Sequence, residues 1–305
     1  MMNRAGEGVS ALGRPWRNAA RSLGCRAVVL SFFFAPLAAD AHDTWVVAER
    51  DRLAPGETVR LVLATGETFP KSENAAKPDR VEEWVAVGPE GRVQVGGLVG
   101  EGDDLAARPS FEKPGAYVIA VALKPKFILL EAKDFQDYLG EEHAEGALET
   151  RQTEHQSDQP GRELYTKLAK TFVQVGDAGK GEQLTKPVGH ALEIVPLSNP
   201  LEWRAGDVVP VRVLLSGKPA EGISVSSLRE GLPPHRYVQV TTTDSDGVVQ
   251  IRLPRPGLWM IRTHAIRPTP GKIFEDSNKS AAVDWESYFA SITLLVPPKG
   301  APASP

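Results

Sequence analysis

Cysteine is almost absent from this chain of 305 residues, since Cys25 is the only one. A single cysteine cannot close a disulfide within the chain, and no other thiolate is available as a nucleophile or a metal ligand. A transition-metal site beyond Cys25 would therefore depend on histidine, carboxylates, backbone groups or an amino terminus.

The chain also lacks the short motifs that mark common enzymes. Its six histidines include no H-x-H or H-E-x-x-H spacing, no serine stands in a G-x-S-x-G turn, and the glycines form no phosphate-binding loop. A formal net charge of -4 provides no basic excess for contact with a nucleic acid. We therefore expect no catalytic residues, no organic cofactor and no nucleic-acid partner, and we predict that the protein is not an enzyme.

Residues 1–41 have the three parts of a secretory signal peptide. Five arginines within residues 1–26 precede an apolar run from Ala27 to Ala39, and residues 39–41 read Ala-Asp-Ala, a small-x-small cleavage site. The apolar run, about 13 residues long, is too short to span a bilayer comfortably. We predict export to the periplasm with cleavage after Ala41.

Cleavage at that bond would make His42 the first residue of the mature chain. An amino-terminal histidine offers its free α-amine and its ring Nδ1 to the same metal ion, and the two nitrogens close a six-membered chelate. Amine and imidazole nitrogens suit Cu(II) and Ni(II). Cleavage one residue earlier or later would remove this chelate.

Three short segments recur in the same order in the two halves of the remaining chain. The matched pairs are Gly56–Val59 with Gly206–Val209, Gly91–Val95 with Gly247–Ile251, and Pro114–Tyr117 with Pro256–Trp259. A period of two also assigns the larger and smaller apolar residues of 116–123 to opposite strand faces, and in 209–215 it separates Val209, Val211 and Val213 from Pro210 and Arg212. We predict a mainly β protein of two tandem immunoglobulin- or transthyretin-like β-sandwiches.

The expected boundaries are 42–185 for the N-terminal sandwich, 186–297 for the C-terminal immunoglobulin-like sandwich and 298–305 for a disordered tail. A charged segment at about 131–173 lacks the alternation of strands. The spacing of Phe135, Leu139 and His143 predicts an amphipathic helix there. Four apolar residues between Arg162 and Phe172 predict a second short helix.

The metal-site candidates are His42, Asp43, His264 and Glu286. On its strand His264 alternates in phase with Arg262, so we expect it on a solvent-facing side, where a histidine is more often a plain surface residue. His143 and His155 are expected in the solvated insert, and His190 and His235 in loops.

A family resemblance is carried by segments spread over nearly all of the mature region. They include His42-Asp43-Thr44-Trp45, Pro55-Gly56-Glu57, Phe135-Gln136-Asp137-Tyr138-Leu139, Arg162-Glu163-Leu164-Tyr165, Gly189–Pro196, Gly257-Leu258-Trp259 and Asp284-Trp285-Glu286-Ser287-Tyr288. The pattern resembles a bacterial periplasmic family labelled as a domain of unknown function, some of whose members carry a nickel- or cobalt-transport accessory label. The resemblance implies a periplasmic protein with a transthyretin- or immunoglobulin-like second domain. The chain departs from the family pattern at residues 142–148.

Three functions remain open from the sequence. The first is a periplasmic accessory protein that captures nickel, cobalt or copper at the His42 chelate, completed by His264, Asp43 or Glu286, and hands it to a membrane transporter component. The second is a non-catalytic interaction or structural module of the cell envelope, because a fold alone does not choose a ligand. The third is a copper oxidase with an amino-terminal histidine brace. The sequence predicts no oligomeric state.

Overall fold

The computed structural model describes residues 42–177, 181–276 and 279–301. The predicted signal peptide at 1–41 and residues 302–305 of the predicted tail lie outside the described residues. The strands are β1 (Asp43–Ala48), β2 (Arg52–Leu53), β3 (Leu61–Gly66), β4 (Val81–Gly88), β5 (Gly91–Gln94), β6 (Val99–Glu101), β7 (Asp104–Ala107), β8 (Gly115–Leu123), β9 (Lys126–Leu130), β10 (Gly161–Val175), β11 (Leu192–Pro196), β12 (Val208–Leu215), β13 (Lys218–Pro219), β14 (Ser224–Arg229), β15 (Gln239–Thr242), β16 (Val248–Arg252), β17 (Gly257–Asp276) and β18 (Lys279–Val296). The helices are α1 (Ala132–Glu141) and α2 (Glu145–Thr153), with short 3₁₀ turns at Pro78–Arg80, Glu182–Thr185 and Pro200–Glu202.

These strands form three sheets, so the predicted mainly β class is confirmed. A central sheet of ten strands has the order β15-β14-β17-β18-β10-β8-β4-β5, and β2 and β9 also pair with β10. A second sheet has the order β1-β3-β7-β6, and a third joins β11, β12 and β13, with β16 paired to β12. None of the helices in the described ranges is long and apolar enough to cross a membrane.

The central sheet is buried on both faces, as strand β8 shows. Its residues Ala116 and Val118 belong to one apolar core, which also contains residues of β11, β12 and β16. Its residues Tyr117 and Ile119 belong to another core, shared with β1, β3 and β7. The two outer sheets therefore pack on opposite faces of the central sheet, giving a layered β-sandwich architecture.

Strand β10 joins the two halves of the chain. It pairs in parallel with β18, with Glu163 opposite Trp285 and Thr171 opposite Thr293, and antiparallel with β8. The sequence halves 42–185 and 186–297 thus both contribute strands to one continuous sheet.

The predicted helix from Arg162 to Phe172 is wrong, because this segment is the centre of β10. Leu168 and Phe172 face one core, whereas Ala169 and Val173 face the other. A strand covered on both faces loses the alternation of apolar and polar residues that normally identifies it. The remaining apolar spacing then imitates a helix.

The predicted helix around Phe135 is confirmed as α1. Phe135, Tyr138 and Leu139 are buried and pack with Trp285 and Phe289 of β18. This packing covers one end of the central sheet and brings the carboxyl end of α1 close to β17. It also places Tyr138 and the residue after the helix, Glu142, in the site described next.

Candidate functional site

His42 lies directly before β1, and its imidazole faces two carboxylates. The ring Nε2 is 3.3 Å from Oε1 of Glu67 and 3.8 Å from Oε2 of Glu73. The register of β1 with β3 places Asp43 opposite Gly66, so Glu67 follows directly beyond the paired strand. The His42 side chain is 14% exposed, and its Nδ1 atom is buried.

The backbone of His42 is held by a lysine of β10. The Nζ of Lys167 donates a hydrogen bond of 2.7 Å to the carbonyl oxygen of His42. Lys167 is itself buried, with its ammonium 5.4 Å from the centroid of the Tyr165 ring. The start of β1 is thus attached to the central sheet by a charged donor, which makes a stronger hydrogen bond than a neutral one.

Asp43 is held by a buried arginine of β17. The Nε of Arg262 is 2.5 Å from Oδ1 of Asp43, and the same guanidinium contacts the Glu142 carboxylate and donates to the Tyr237 hydroxyl at 2.9 Å. Burial raises the pKa of the Asp43 carboxyl to about 6, although the Arg262 charge opposes the shift. One guanidinium therefore binds strand β1, the end of α1 and the loop before β15 together.

A second polar group lies beside it, centred on the Tyr138 hydroxyl. This hydroxyl donates to Oε1 of Glu163 at 3.0 Å and lies 3.0 Å from Nε2 of His264. The Ser287 hydroxyl also donates to Glu163. Burial raises the pKa of Glu163 to about 7, against the lowering effect of these two hydrogen bonds.

His264 is neutral at physiological pH, because burial and the nearby Arg262 charge lower its pKa to about 3. Since the Tyr138 proton is donated to Glu163, the Tyr138 oxygen must accept from Nε2–H of His264. The proton of the neutral imidazole is then on Nε2, and Nδ1 has no hydrogen-bond partner within the described ranges. The Phe289 ring, with its centroid 4.4 Å away, shields the imidazole.

We call these residues the buried polar network: Asp43, Tyr138, Glu142, Glu163, Lys167, Tyr237, Arg262, His264 and Ser287. They come from β1, β10, β17, β18, α1 and two loops. Their shared consequence is that the residues next to His42 are fixed by buried ion pairs and hydrogen bonds, whereas the His42 side chain stays 14% exposed, with its Nδ1 atom buried.

The four predicted metal ligands are not brought together as one site. His42 and Asp43 are sequence neighbours, but the Asp43 carboxylate is engaged by Arg262, and His264 is engaged by Tyr138. Glu286 is ion-paired with Arg267 at 2.6 Å and with Lys272. Within the ranges that the structure describes, no group of three or more histidine, cysteine, aspartate or glutamate side chains is placed to hold a metal ion.

Two expectations about exposure need correction. His264 and Arg262 were expected on a solvent-facing side of their strand, but both are buried. The reason is that Tyr138 of α1 covers His264, while Asp43, Glu142 and Tyr237 cover Arg262, and the two acids balance its charge. His190, expected in a loop, does precede β11, but its side chain is also buried, and burial lowers its pKa to about 4.

Sequence reasoning missed Glu67 and Glu73 beside His42, and the acids that balance Arg262. No motif links Glu67, Glu73 and Glu142 to His42, from which all three lie 25 or more positions away along the chain. One signal was available in the sequence. Arg262 and His264 share their strand face with the apolar residues Met260 and Ile266, which precede and follow them. A charged residue inside such a run marks a buried ion pair as readily as a solvent face.

Comparison with sequence families gives one match, in which the model of the family described as "Domain of unknown function (DUF4198)" covers residues 39–267. Comparison with curated proteins gives no match.

Several solved structures are weakly similar to the chain. A Salmonella alpha-2-macroglobulin mutant is 15% identical at a TM-score of 0.25, over 83% of this chain and 15% of that chain. The D0-D1 domain of Intimin is 13% identical at a TM-score of 0.19, over 82% of this chain and 97% of that chain. The ectodomain of mouse nectin-like molecule 4 is 10% identical at a TM-score of 0.20, over 85% of this chain and 66% of that chain. The chain spans about 15% of the length of the macroglobulin.

Proposed function

For this chain, which belongs to the family described as Domain of unknown function (DUF4198), we propose periplasmic capture and release of a divalent transition metal at His42. The observation that carries the proposal is the placement of the His42 imidazole. Its Nε2 faces Glu67 and Glu73, while Lys167 binds the His42 carbonyl oxygen and Arg262 binds the Asp43 carboxylate. Nickel, cobalt and copper all suit such donors.

The chemistry depends on the α-amine that cleavage after Ala41 would release. The amine and Nδ1 of His42 are the chelating pair, so the other ring nitrogen, Nε2, is the one that meets the carboxylates. A histidine ligand commonly donates its second ring N–H to a carboxylate, which fixes the ring orientation and strengthens the metal bond. Glu67 at 3.3 Å is placed for that role.

In this proposal the buried polar network orders the first residues of the mature chain before the metal binds. An amino terminus is ordinarily among the least ordered parts of a domain, and ordering one residue costs about 1–2 kcal/mol. Here that cost is met on folding, because Lys167 and Arg262 hold residues 42 and 43 in place. The metal then meets a chelate that is already oriented.

Capture and handover require that the site stay open. The His42 side chain is partly exposed, and its carboxylate neighbours are more exposed still. A membrane transporter component is the partner that fits this proposal, because it would receive the metal directly from the open side. The proposed process makes and breaks coordination bonds only, and the protein is not an enzyme in it.

The test is calorimetric titration of Ni(II) and Cu(II) into the mature protein that begins at His42. A matched form carries one additional alanine before His42, which removes the amine from the chelate but leaves every side chain in place. We expect tight binding by the first form and a loss of at least about tenfold in the second. Equal binding by both forms, or binding by neither, would overturn the amino-terminal site.

The alternative, a non-catalytic interaction module, is favoured by the shape of the β17–β18 hairpin. Beyond Pro268 the two strands extend past their neighbours, and Ile273 on this extension is 62% exposed. An exposed apolar side chain on a projecting hairpin is a feature of contact surfaces. If neither form of the protein binds metal, deletion of residues 270–282 followed by a pull-down from periplasmic extract is the experiment to make.

A further inference from the structure

Two adjoining cavities lie on the side of the molecule formed by the 3₁₀ turn at Pro78–Arg80, β9 and the β17–β18 hairpin. The first has a volume of about 420 Å³ and the second of about 650 Å³. Arg80, Lys126 and Asp276 line both, so the cavities meet at these side chains. Volumes of this size are typical of small-molecule sites.

The first cavity is strongly cationic. Its charged lining residues are Lys77, Arg80, Lys126 and Lys167 against Asp276, four positive and one negative, a formal balance of +3 in a chain whose net charge is -4. Asp43 and Glu163 offset part of the Lys167 charge from inside the molecule. The other three cations still outnumber the single acid.

Two of the cations lie beside an aromatic ring, and a third contacts a backbone carbonyl. The ammonium groups of Lys126 and Lys167 lie 5.9 Å and 5.4 Å from the centroid of Tyr165. Arg80 donates to the Pro125 carbonyl at 3.4 Å. Like charges gathered in one concave, partly apolar site repel one another, and an anion bound among them relieves this repulsion.

The second cavity adds an apolar surface next to these cations. Phe127 of β9 and Phe274 of β17 line it, with ring planes 10° from parallel and centroids 6.3 Å apart. Pro125 and Ala281 complete the apolar lining. Aromatic ligands pack favourably against such faces and edges.

We propose that the two cavities together bind an aromatic carboxylate. Its carboxylate lies among Lys77, Arg80 and Lys126, and its ring packs against Phe127 and Phe274. Arginine is suited to bidentate contact with a carboxylate, and the lysines add charge without fixed geometry. Binding requires no metal at His42, and the chain has a second ligand site that does not depend on the first.

The experiment is calorimetric titration of 1-naphthoate into the mature protein after treatment with a chelator. Arg80→Gln and Lys126→Gln each remove one positive charge, and we expect each to weaken binding by about tenfold. Lys218→Gln is the matched control, because Lys218 is an exposed lysine on β13 of another sheet. Thermal melting of each variant shows whether it remains folded, and either charge variant suffices if the other does not.

The aromatic half has its own pair of variants. Phe274→Ala should weaken 1-naphthoate binding by about threefold to tenfold. Ile273→Ala is its control, since Ile273 is the preceding residue of β17, is 62% exposed and does not line the cavity. Acetate, which has the carboxylate but no ring, should bind much more weakly than 1-naphthoate.

Three results would overturn the proposal. The first is equal binding of the uncharged analogue 1-naphthylmethanol, which would make the cations irrelevant. The second is binding of inorganic phosphate or citrate as tightly as 1-naphthoate and without dependence on Phe274, which would make the site a general anion site. The third is the absence of 1-naphthoate binding by the folded wild-type protein.

Discussion

The guanidinium of Arg262 and the carboxylate of Asp43 lie 2.5 Å apart, although 218 positions separate them in the chain. Arg262 is buried in the central sheet, and Asp43 is the residue directly after His42. This contact attaches the first strand to β17, while Lys167 attaches it to β10. The orientation of the proposed metal ligand is therefore determined by residues that never touch the metal.

Replacing the buried arginine by an apolar residue of similar length (Arg262→Met) leaves Asp43 and Glu142 without their shared cation. Removal of one partner from a buried ion pair costs about 3–5 kcal/mol, and we expect the free energy of unfolding in urea to fall by that amount. The loss should be smaller near pH 5 than near pH 8, because burial raises the pKa of Asp43 to about 6 and protonation neutralises this carboxyl group.

Arg267→Met is the matched control for this substitution. Arg267 also pairs with a glutamate, Glu286, but its side chain is 48% exposed. An ion pair with a half-exposed arginine contributes about 1 kcal/mol or less, and Glu286 keeps Lys272 as its partner, so the control should lose little stability. Equal losses of unfolding free energy in Arg262→Met and Arg267→Met would contradict the conclusion that the buried ion pairs of Arg262 make the larger contribution to stability.

Glu163 should make the stability of the wild-type protein fall as pH rises between about pH 5 and pH 8. Its pKa is raised by burial from 4.5 to about 7, so in this interval the folded state holds a proton that the unfolded state has lost. The full contribution is up to about 3 kcal/mol. Glu163→Gln mimics the protonated form and should remove this slope, as measured by urea denaturation at several pH values.

The comparison must be made as a difference between wild type and variant, because His264 acts in the opposite direction. Its pKa is lowered from 6.5 to about 3, so it makes stability fall as pH decreases below about pH 6.5. Both proteins contain His264, and its contribution cancels in the difference. Glu149→Gln, on the exposed face of α2, should leave the slope of the wild type unchanged.

His264 should have no part in metal binding, because its imidazole is buried and engaged by the Tyr138 hydroxyl. We expect His264→Gln to keep the Ni(II) affinity of the mature protein within about twofold while lowering its melting temperature. Calorimetry and thermal melting measure the two effects separately. A loss of Ni(II) affinity in a folded His264→Gln variant would mean that His264 takes part in metal binding.

Glu67 and Glu73 should affect the metal affinity of His42, because they contact its ring. Loss of a group that orients a metal ligand typically costs about 10–100-fold in affinity, and we expect Glu67→Gln to fall in that range by Ni(II) titration. Glu73→Gln should cost less, because Glu73 is farther from Nε2 at 3.8 Å. Glu112→Gln, an exposed glutamate elsewhere, is the control, and an equal effect there would reduce the result to a change in net charge.

The sequence predicted elements best where one physical pattern dominates. The alternation in β12 follows from the two faces of a strand, and the apolar spacing of Phe135 and Leu139 follows from the helical turn. Strand β10 was mistaken for a helix because packing on both faces left no polar side to reveal its period. Only the arrangement of all three sheets contains that information.

The properties of the site likewise fall into those that local sequence determines and those that tertiary contacts determine. The sequence by itself determined the mainly β class, the recurring strand segments and the presence of His42 next to a predicted cleavage site, because these depend on local spacing. The tertiary structure alone decided that Glu67 and Glu73 face His42, that Arg262 balances Asp43 and Glu142, and that His264 is buried and neutral. Those properties depend on contacts between residues far apart in the chain, and on the burial that such contacts produce, neither of which local spacing records.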